Sequence, residues 1–223
     1  PFFYFLYYIY MKKIIVIGSG FGGLSITSRL RSNGFETTLI EKQPDLGGRA
    51  RTFLHKGYKY DAGPTVITAP YLIEELFNIH SEKLSDYVNL LPVKPWYRFL
   101  FDNNEYLDYG DNLRNTVREI RTKYGNDNAK SYIKLLKHSK RIFNKAFMEL
   151  SDEPFESLGS MVKHLPELLR IRFDRSVYKA VDKHIGNIHL NQALSMHPLL
   201  VGGNPYSTTS IYLLIQYLEW KWG

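Results

Sequence analysis

The glycine spacing near the start of the chain constrains the fold more than any other feature. A short apolar strand predicted over Ile14–Ile17 leads into Gly18-x-Gly20-x-x-Gly23, after which the pattern predicts a helix. Gly18 permits a tight turn, Gly20 lets a pyrophosphate approach the backbone, and Gly23 lets the helix pack closely on the strand. The unpaired N–H groups and the positive dipole end of that helix then face the phosphates.

An acidic residue follows at a spacing typical of dinucleotide-binding units. Glu41 lies 23 residues after Gly18, at the end of a second apolar run, Thr37–Ile40. A carboxylate in this position can accept hydrogen bonds from ribose hydroxyls and repels a 2′-phosphate. Strand, glycines, helix and acid together predict a Rossmann-like nucleotide site, and at this point both NAD and FAD remain possible. The alternative is a glycine-rich turn in an unrelated α/β protein.

A second glycine pair tilts the choice of nucleotide towards FAD. Gly47-Gly48-Arg49 begins six residues after Glu41. This spacing fits a second pass of backbone beside the pyrophosphate, with the guanidinium of Arg49 neutralising its charge. A glycine turn followed by a surface arginine is the alternative interpretation.

Composition excludes several kinds of site. The chain has 223 residues, 44% of them hydrophobic and 23% charged, which is ordinary for a globular protein. No apolar run is long enough to span a bilayer. With no cysteine, the chain has no disulfide, thiolate or cysteine-based metal site. Its seven histidines show no metal-ligand spacing, so we predict no metal. The absence of cysteine fits a cytoplasmic compartment, which we predict.

The two ends predict an incomplete chain. Ten residues precede Met11 and lack the features of a signal peptide, so they read as a lead-in to a native start at Met11. The last residues, ending at Gly223, follow a helical pattern directly, which predicts truncation.

The positive charge is concentrated in one region. From Asn112 to Lys145 there are ten Lys or Arg and two Asp or Glu, a surplus of eight beside the net charge of +7. Asn128–Leu150 is amphipathic, with apolar residues on one face. The basic residues on its opposite face are Lys130, Lys134, Lys137, Arg141 and Lys145. No nucleic-acid recognition motif accompanies this charge, so we predict no nucleic-acid partner.

Over residues 14–223 the sequence resembles the N-terminal part of bacterial-type phytoene desaturases, a carotenoid desaturase family of the flavin-containing amine oxidoreductase superfamily. The strings that carry the resemblance are VIGSGFGGL (16–24), LIEK (39–42), LGGRA (46–50), YDAGPTVIT (60–68), SVYKAV (176–181) and HPLLVGGNPYSTTSIYLLI (197–215). Many flavoproteins share the first and third strings. The DAGPTVIT and LLVGGNP strings are much more specific to carotenoid desaturases.

The resemblance implies an α/β fold, with a Rossmann-like FAD-binding ββα core and a largely helical region facing substrate and membrane. It implies non-covalent FAD and removal of hydrogen from phytoene, with hydride passing from an allylic carbon to the flavin and quinone or oxygen as the electron acceptor. The implied cofactor-binding residues are Gly18, Gly20, Gly22, Gly23, Glu41, Lys42, Gly48, Arg49, Asp61, Gly63, Pro64 and Thr65.

Acid–base residues remain unassigned. The family's polar groups lie in a segment matching residues 155–165, where this chain has Ser160 and Lys163 instead of the expected acid and arginine. The predicted domains are a lead-in over 1–10, the first FAD-binding segment over 11–70, substrate-domain strands and a hairpin over 71–111, and a helical region associating with substrate and membrane over 112–223.

Phytoene dissolves in lipid, so the resemblance also implies a peripheral membrane protein. We expect the basic face, helped by Arg114, Arg118 and Arg121, to lie against anionic headgroups. A solvated basic face is the alternative. Other functions left open are a related carotenoid dehydrogenase, a flavin-dependent carotene isomerase, an NAD-dependent dehydrogenase and an inactive FAD-binding fragment.

Overall fold

The computed structural model describes residues 13–63, 66–149, 165–166 and 168–222. The chain forms two compact units that divide between Leu90 and Leu91. The lead-in, Met11 and Gly223 lie outside the described residues. The boundaries predicted at residues 70 and 111 concern functional regions and stay predictions.

The first unit begins with a parallel βαβ arrangement. Its first strand pairs with the second from Lys13 opposite Glu36 to Ile17 opposite Ile40, and a helix connects them. Gly34, at φ +84°, follows the end of this helix and turns the chain towards the second strand. These elements are β1 (Lys13–Ile17), α1 (Phe21–Ser32) and β2 (Glu36–Ile40). The predicted α/β fold is confirmed.

A hairpin and two short helical segments complete the first unit. A turn at Lys56-Gly57, with both residues at positive φ, joins two antiparallel strands. The elements are a 3₁₀ turn at Gly48–Ala50, β3 (Thr52–His55), β4 (Tyr58–Asp61), α2 (Pro70–Asn78) and a second 3₁₀ turn at Leu84–Asp86.

The outer side of β1 is apolar and open. Ile15 is 64% exposed and Ile17 84% exposed. Within the part of the chain that the structure describes, β1 and β2 pair with no other strand. Two strands and one helix therefore leave apolar strand surface in contact with solvent.

The second unit is mainly helical. Its predicted hairpin is confirmed, with Tyr97 opposite Tyr109 and Leu100 opposite Tyr106. The elements are β5 (Tyr97–Leu100), β6 (Tyr106–Tyr109), α3 (Leu113–Tyr124), α4 (Asn126–Ile142), α5 (Val177–Asp182), α6 (Ile188–Leu194), 3₁₀ turns at His197–Val201 and Ser210–Leu213, and α7 (Leu214–Trp222).

Helix α4 supplies much of the core of the second unit. Its buried residues include Tyr132, Leu135 and Ile142, and the amphipathic pattern is confirmed. The amphipathic segment predicted over Asn128–Leu150 is α-helical as far as Ile142, and a wider π-helical turn follows at Phe143–Glu149. Aromatic packing favours this turn, since the buried Phe143 ring lies 5.2 Å from Phe147 and 5.5 Å from Trp222.

Four of the five predicted basic residues on α4 and its extension are exposed, and Lys145 is the exception. Its side chain is 19% exposed, and its Nζ lies 2.6 Å from Oε2 of Glu149. The two residues are four positions apart within the π-helical turn. Lys145 therefore contributes little to the basic surface.

A buried acid–imidazole pair connects the segment after α6 to α7. Nε2 of His197 lies 3.0 Å from Oε2 of Glu219, and both residues are almost fully buried. The other carboxylate oxygen of Glu219 accepts a hydrogen bond of 2.8 Å from the hydroxyl of Tyr97. Burial, followed by the nearby Glu219 charge, raises the pKa of Tyr97, so its hydroxyl remains a donor. One carboxylate therefore joins three segments of the unit.

A second polar cluster lies among the aromatic residues of the same core. The indole N–H of Trp220 donates to the hydroxyl oxygens of Tyr132, at 2.7 Å, and of Tyr109, at 3.2 Å. The rings of Tyr109 and Trp220 meet edge to face at 5.8 Å. The buried hydroxyl groups of Tyr109 and Tyr132 and the indole N–H of Trp220 therefore all have hydrogen-bond partners, as polar groups in a low-dielectric interior require.

No helix among the described residues is both long enough and apolar enough to cross a bilayer. In the same residues, no three His, Asp or Glu side chains come together as a possible metal-ligand set.

Replacing Glu219 should destabilise the second unit strongly. Glu219→Ala leaves His197 and Tyr97 without their acceptor and should lower the free energy of unfolding by about 3 kcal/mol. Glu105→Ala is the matched control, because Glu105 also faces a histidine, His189, but its side chain is 58% exposed. The control should change the free energy by less than about 0.5 kcal/mol.

Urea unfolding followed by tryptophan fluorescence measures this difference, since Trp96, Trp220 and Trp222 all lie in the second unit. Equal losses of stability in the two variants would show that the buried pair has no special role.

Candidate functional site

The glycine turn after β1 has the backbone that the sequence predicts. Gly18 has φ +94°, a conformation that side-chain-bearing residues rarely adopt. A methyl group on Gly23 would overlap the carbonyl oxygen of Gly18, so α1 passes directly against the turn. The predicted mechanical roles of these two glycines are confirmed.

The start of α1 leaves open space beside its backbone. Gly20 precedes the helix with φ −67° and ψ 177°. A Cβ atom added to Gly20 or to Gly22 would meet no heavy atom within 4 Å. The free N–H groups of the first turn are therefore accessible to an anionic group.

The Glu41 carboxylate hydrogen-bonds to the glycine turn and also faces the open space beside the start of α1. Its Oε2 accepts hydrogen bonds from the backbone N–H of Ser19, at 2.7 Å, and from the Ser19 hydroxyl, at 2.8 Å. Its Oε1 accepts from the backbone N–H of Gln43 at 2.9 Å. The hydrogen bonds from Ser19, followed by those from Gln43, lower the pKa of Glu41 to about 2. The carboxylate is thus ionised at neutral pH.

Glu41 still has acceptor capacity for a ligand. An ionised carboxylate offers roughly four acceptor positions, and three hydrogen bonds are made here. Sequence reasoning missed Ser19, a variable position of the glycine pattern that is fully buried. A small hydroxyl residue between two motif glycines was the only signal available for it.

The second glycine pair lies against the first turn. The backbone N–H of Gly47 donates to the carbonyl oxygen of Ser19 at 2.9 Å. A Cβ atom on Gly48 would lie 3.0 Å from Cα of Gly20. Two stretches of backbone therefore run side by side, as the predicted second pass requires.

The end of β4 joins the same region. The N–H of Ala62 donates to the carbonyl oxygen of Arg51 at 2.9 Å, and a methyl group on Gly63 would overlap the carbonyl oxygen of Arg49. Asp61 is the last residue of β4 and is exposed. The predicted residues Pro64 and Thr65 lie outside the described residues.

These segments surround a cavity of about 790 Å³. It combines glycine backbone, one ionised carboxylate and the cationic side chains of Lys42, Arg49 and Arg51. The lining residues are Ile17, Gly18, Ser19, Gly20, Ile40, Glu41, Lys42, Gln43, Gly48, Arg49, Arg51 and Ala62. Six of the predicted residues line it directly, namely Gly18, Gly20, Glu41, Lys42, Gly48 and Arg49.

The other described members of the predicted set lie beside the cavity. Gly22 and Gly23 are in the first turn of α1, and Asp61 and Gly63 flank Ala62. Ser160 and Lys163, where acid–base groups are expected, lie outside the described residues. The structure thus assembles a site suited to a nucleotide diphosphate and assigns no catalytic side chain.

Comparison with known families supports the fold of this site. Residues 16–81 match the family described as NAD(P)-binding Rossmann-like domain. The match includes both glycine segments and Glu41. The prediction of a dinucleotide-binding domain is therefore confirmed.

Characterised relatives cover nearly the whole chain. It is 42% identical over 213 residues to the phytoene desaturase (lycopene-forming) of Pseudescherichia vulneris, covering 96% of this chain and 43% of the relative. The corresponding enzyme of Pantoea ananas is 40% identical, with the same coverage. The predicted resemblance to phytoene desaturases is confirmed. The chain spans less than half the length of these relatives.

Among solved structures, the chain is similar to a putrescine oxidase redesigned in its cofactor binding. The TM-score is 0.55 at 16% identity, over 91% of this chain and 40% of that one. At this identity the likeness concerns the fold, which is the fold that the sequence predicts.

Gly23 and Gly22 offer a matched pair of substitutions at the start of α1. Gly23→Ala should destabilise the first unit by about 1–3 kcal/mol, because its methyl group overlaps the Gly18 carbonyl. Gly22→Ala places its methyl group in open space and should be neutral or stabilise α1 by up to about 1 kcal/mol.

Amide hydrogen exchange of α1 and β1 measures both effects. Faster exchange in Gly23→Ala and unchanged or slower exchange in Gly22→Ala is expected. Equal exchange in the two variants would contradict the close contact between α1 and the turn.

Proposed function

We propose that this chain carries the FAD-binding segment of a flavin-dependent carotenoid desaturase. The observation that carries the proposal is the convergence of the glycine turn, Glu41 and the Gly47–Gly48 loop on one cavity. The similarity to phytoene desaturases over 96% of the chain supports FAD as the nucleotide. It also argues against an ordinary NAD-dependent dehydrogenase.

The residues present fit a dinucleotide. Open space beside Gly20 and Gly22 leaves room for a pyrophosphate at the N-terminus of α1. The Glu41 carboxylate would accept hydrogen bonds from the ribose hydroxyls, and Arg49 would offset phosphate charge. Asp61, Gly63, Pro64 and Thr65 are proposed to lie towards the junction of flavin and substrate.

The proposed reaction is the desaturation of phytoene, in which a hydride leaves an allylic carbon for the bound flavin and a proton leaves the neighbouring carbon. Quinone or oxygen would then accept the electrons. The chain's own residues supply binding and orientation, and the catalytic acid–base residues are unassigned. A related carotenoid dehydrogenase or a carotene isomerase is the alternative among enzymes.

Co-expression of this chain with a phytoene-producing pathway, followed by pigment analysis, distinguishes desaturation from isomerisation. Conjugated products from phytoene would support the proposed reaction, and a product with unchanged conjugation length would favour an isomerase. A chain that folds but binds no flavin would instead support the non-enzyme alternative, an inactive nucleotide-binding fragment.

Gly20→Ala should weaken FAD binding without disturbing the fold. The added methyl group meets no protein atom within 4 Å and the backbone conformation suits any residue, but it occupies the space proposed for the pyrophosphate. We expect a loss of at least about tenfold in affinity, roughly 1.4 kcal/mol. Gly186→Ala, in open space in the second unit, is the control and should bind as the parent does.

Titration of the purified chain with FAD, followed by flavin fluorescence and the visible spectrum, measures this affinity. If the parent chain binds FAD and Gly20→Ala binds equally well, the proposed position of the pyrophosphate is wrong. If a folded parent chain shows no affinity for FAD, the proposal that this chain carries an FAD-binding segment fails, and the inactive-fragment alternative is favoured.

A contact with an anionic membrane surface is the second part of the proposal, consistent with a peripheral protein on the cytoplasmic side. A substrate as apolar as phytoene resides in lipid. Exposed cations provide the surface charge, and they are Arg114, Arg118 and Arg121 of α3 and Lys130, Lys134, Lys137 and Arg141 of α4. Each contributes on the order of 1 kcal/mol near anionic headgroups.

Flotation with phosphatidylcholine vesicles and with vesicles containing phosphatidylglycerol tests this contact. The parent should prefer the anionic vesicles, and Lys130→Ala/Lys137→Ala should reduce that binding by roughly thirtyfold. Arg31→Ala/Lys59→Ala removes the same charge from the first unit and should have little effect. Equal binding to neutral and anionic vesicles would defeat the electrostatic contact.

A further inference from the structure

Two histidines and three cations from separate helices meet on the surface of the second unit. Lys134, His138 and Arg141 follow one stripe of α4, at spacings of four and three residues. Lys183 and His184 come directly after α5. We call this set the His138–His184 cluster.

The two imidazole rings define the centre of the cluster. The ring centroids of His138 and His184 lie 6.0 Å apart, with 36° between the ring planes. Both side chains are half-buried. None of the four ring nitrogens has a hydrogen-bond partner among the described residues. Both half-buried rings can therefore still bind a polar ligand.

The cations of this cluster lack carboxylate partners within the described residues. Elsewhere in the same unit, Lys94 pairs with Asp111 at 3.1 Å and Arg172 pairs with Asp174 at 3.1 Å. Lys134, Arg141 and Lys183 have no such ion pair in the part of the chain that the structure describes. Their charge is therefore available to an external anion.

The positive charges around the two rings favour a ligand of negative charge. After burial, the neighbouring ring of His184 and the charges of Arg141 and Lys183 lower the pKa of His138, and the charges of Lys183 and Lys134 lower that of His184. Three ammonium or guanidinium groups repel a divalent metal ion, although two imidazoles alone could bind one. An anion with several acceptor oxygens satisfies both the cations and the ring N–H groups.

We propose that the His138–His184 cluster is a binding site for a phosphate group, supplied by a lipid headgroup or by a free phosphate compound. This goes beyond the flavin chemistry and gives the proposed membrane contact one defined point of attachment. It can fail while the general charge contact holds, because the latter depends on lysines and arginines along two helices.

Protonation couples to binding at this site. Burial, followed by the neighbouring positive charges, lowers the pKa of His138 and of His184, so both rings are neutral at neutral pH without a ligand. A bound phosphate favours the protonated rings and raises both pKa values. Affinity for the anion should therefore increase as the pH falls through the range in which histidine titrates.

Vesicle binding at two pH values tests the lipid source. Phosphatidylglycerol keeps its single charge between about pH 7.5 and about pH 5.5, whereas histidine changes charge. The parent should bind these vesicles more tightly at the lower pH, by up to roughly thirtyfold for two added charges. His138→Gln/His184→Gln should bind as the parent does at the higher pH and lose the increase.

His55→Gln/His80→Gln is the matched control, since it removes two exposed histidines from the first unit. It should keep the full increase in binding. An increase that survives in His138→Gln/His184→Gln, or that is absent from the parent, would overturn a headgroup site.

A second arm tests a free phosphate source with sulfate, which stays doubly charged over this range. NMR titration of the imidazole protons, in sulfate and in chloride at equal ionic strength, gives the pKa of each ring. Higher pKa values for His138 and His184 in sulfate would support a site for a free phosphate. Higher values only with phosphatidylglycerol vesicles would support a headgroup, and no change with either would overturn the proposal.

Discussion

Ser19 is the residue on which the nucleotide cavity depends. Its N–H and hydroxyl both donate to Glu41, and its carbonyl oxygen accepts from the N–H of Gly47. These three hydrogen bonds hold the turn after β1, the end of β2 and the second glycine loop in one arrangement. Ser19 itself is buried, and its two hydrogen bonds fix the position of the part-buried Glu41 carboxylate. Three segments of the cavity wall are therefore joined through one residue.

The sequence predicted the parts of this site that depend on local backbone requirements. Gly18 needs a positive φ and Gly23 needs to lack a side chain, and both requirements are visible in the spacing of the glycines. The role of Ser19 was not visible, because it depends on where β2 places Glu41, 22 residues away. In the same way, the pattern of α4 predicted its buried face. It did not predict the wider turn after Ile142, which accompanies aromatic contacts with α7.

Contacts between distant residues explain most of what sequence reasoning missed in the second unit. Tyr97 and Glu219 are 122 residues apart, and each is unremarkable in its own segment. Burying a carboxylate among a histidine and a tyrosine is costly unless every partner is present, so such a network favours one packing of the surrounding helices. The motif strings around His197 resembled a family pattern, but only the fold shows that His197 faces an acid on α7.

The open side of β1 has a consequence for handling this chain in solution. Within the described region, the sheet has two strands, exposed isoleucines on β1 and unpaired backbone groups at its edges. Other extended segments can pair with such an edge. Identical copies at high concentration provide such segments, so we expect self-association through strand pairing to increase with protein concentration. Low protein concentration and low temperature during purification favour the single chain, because apolar association weakens on cooling.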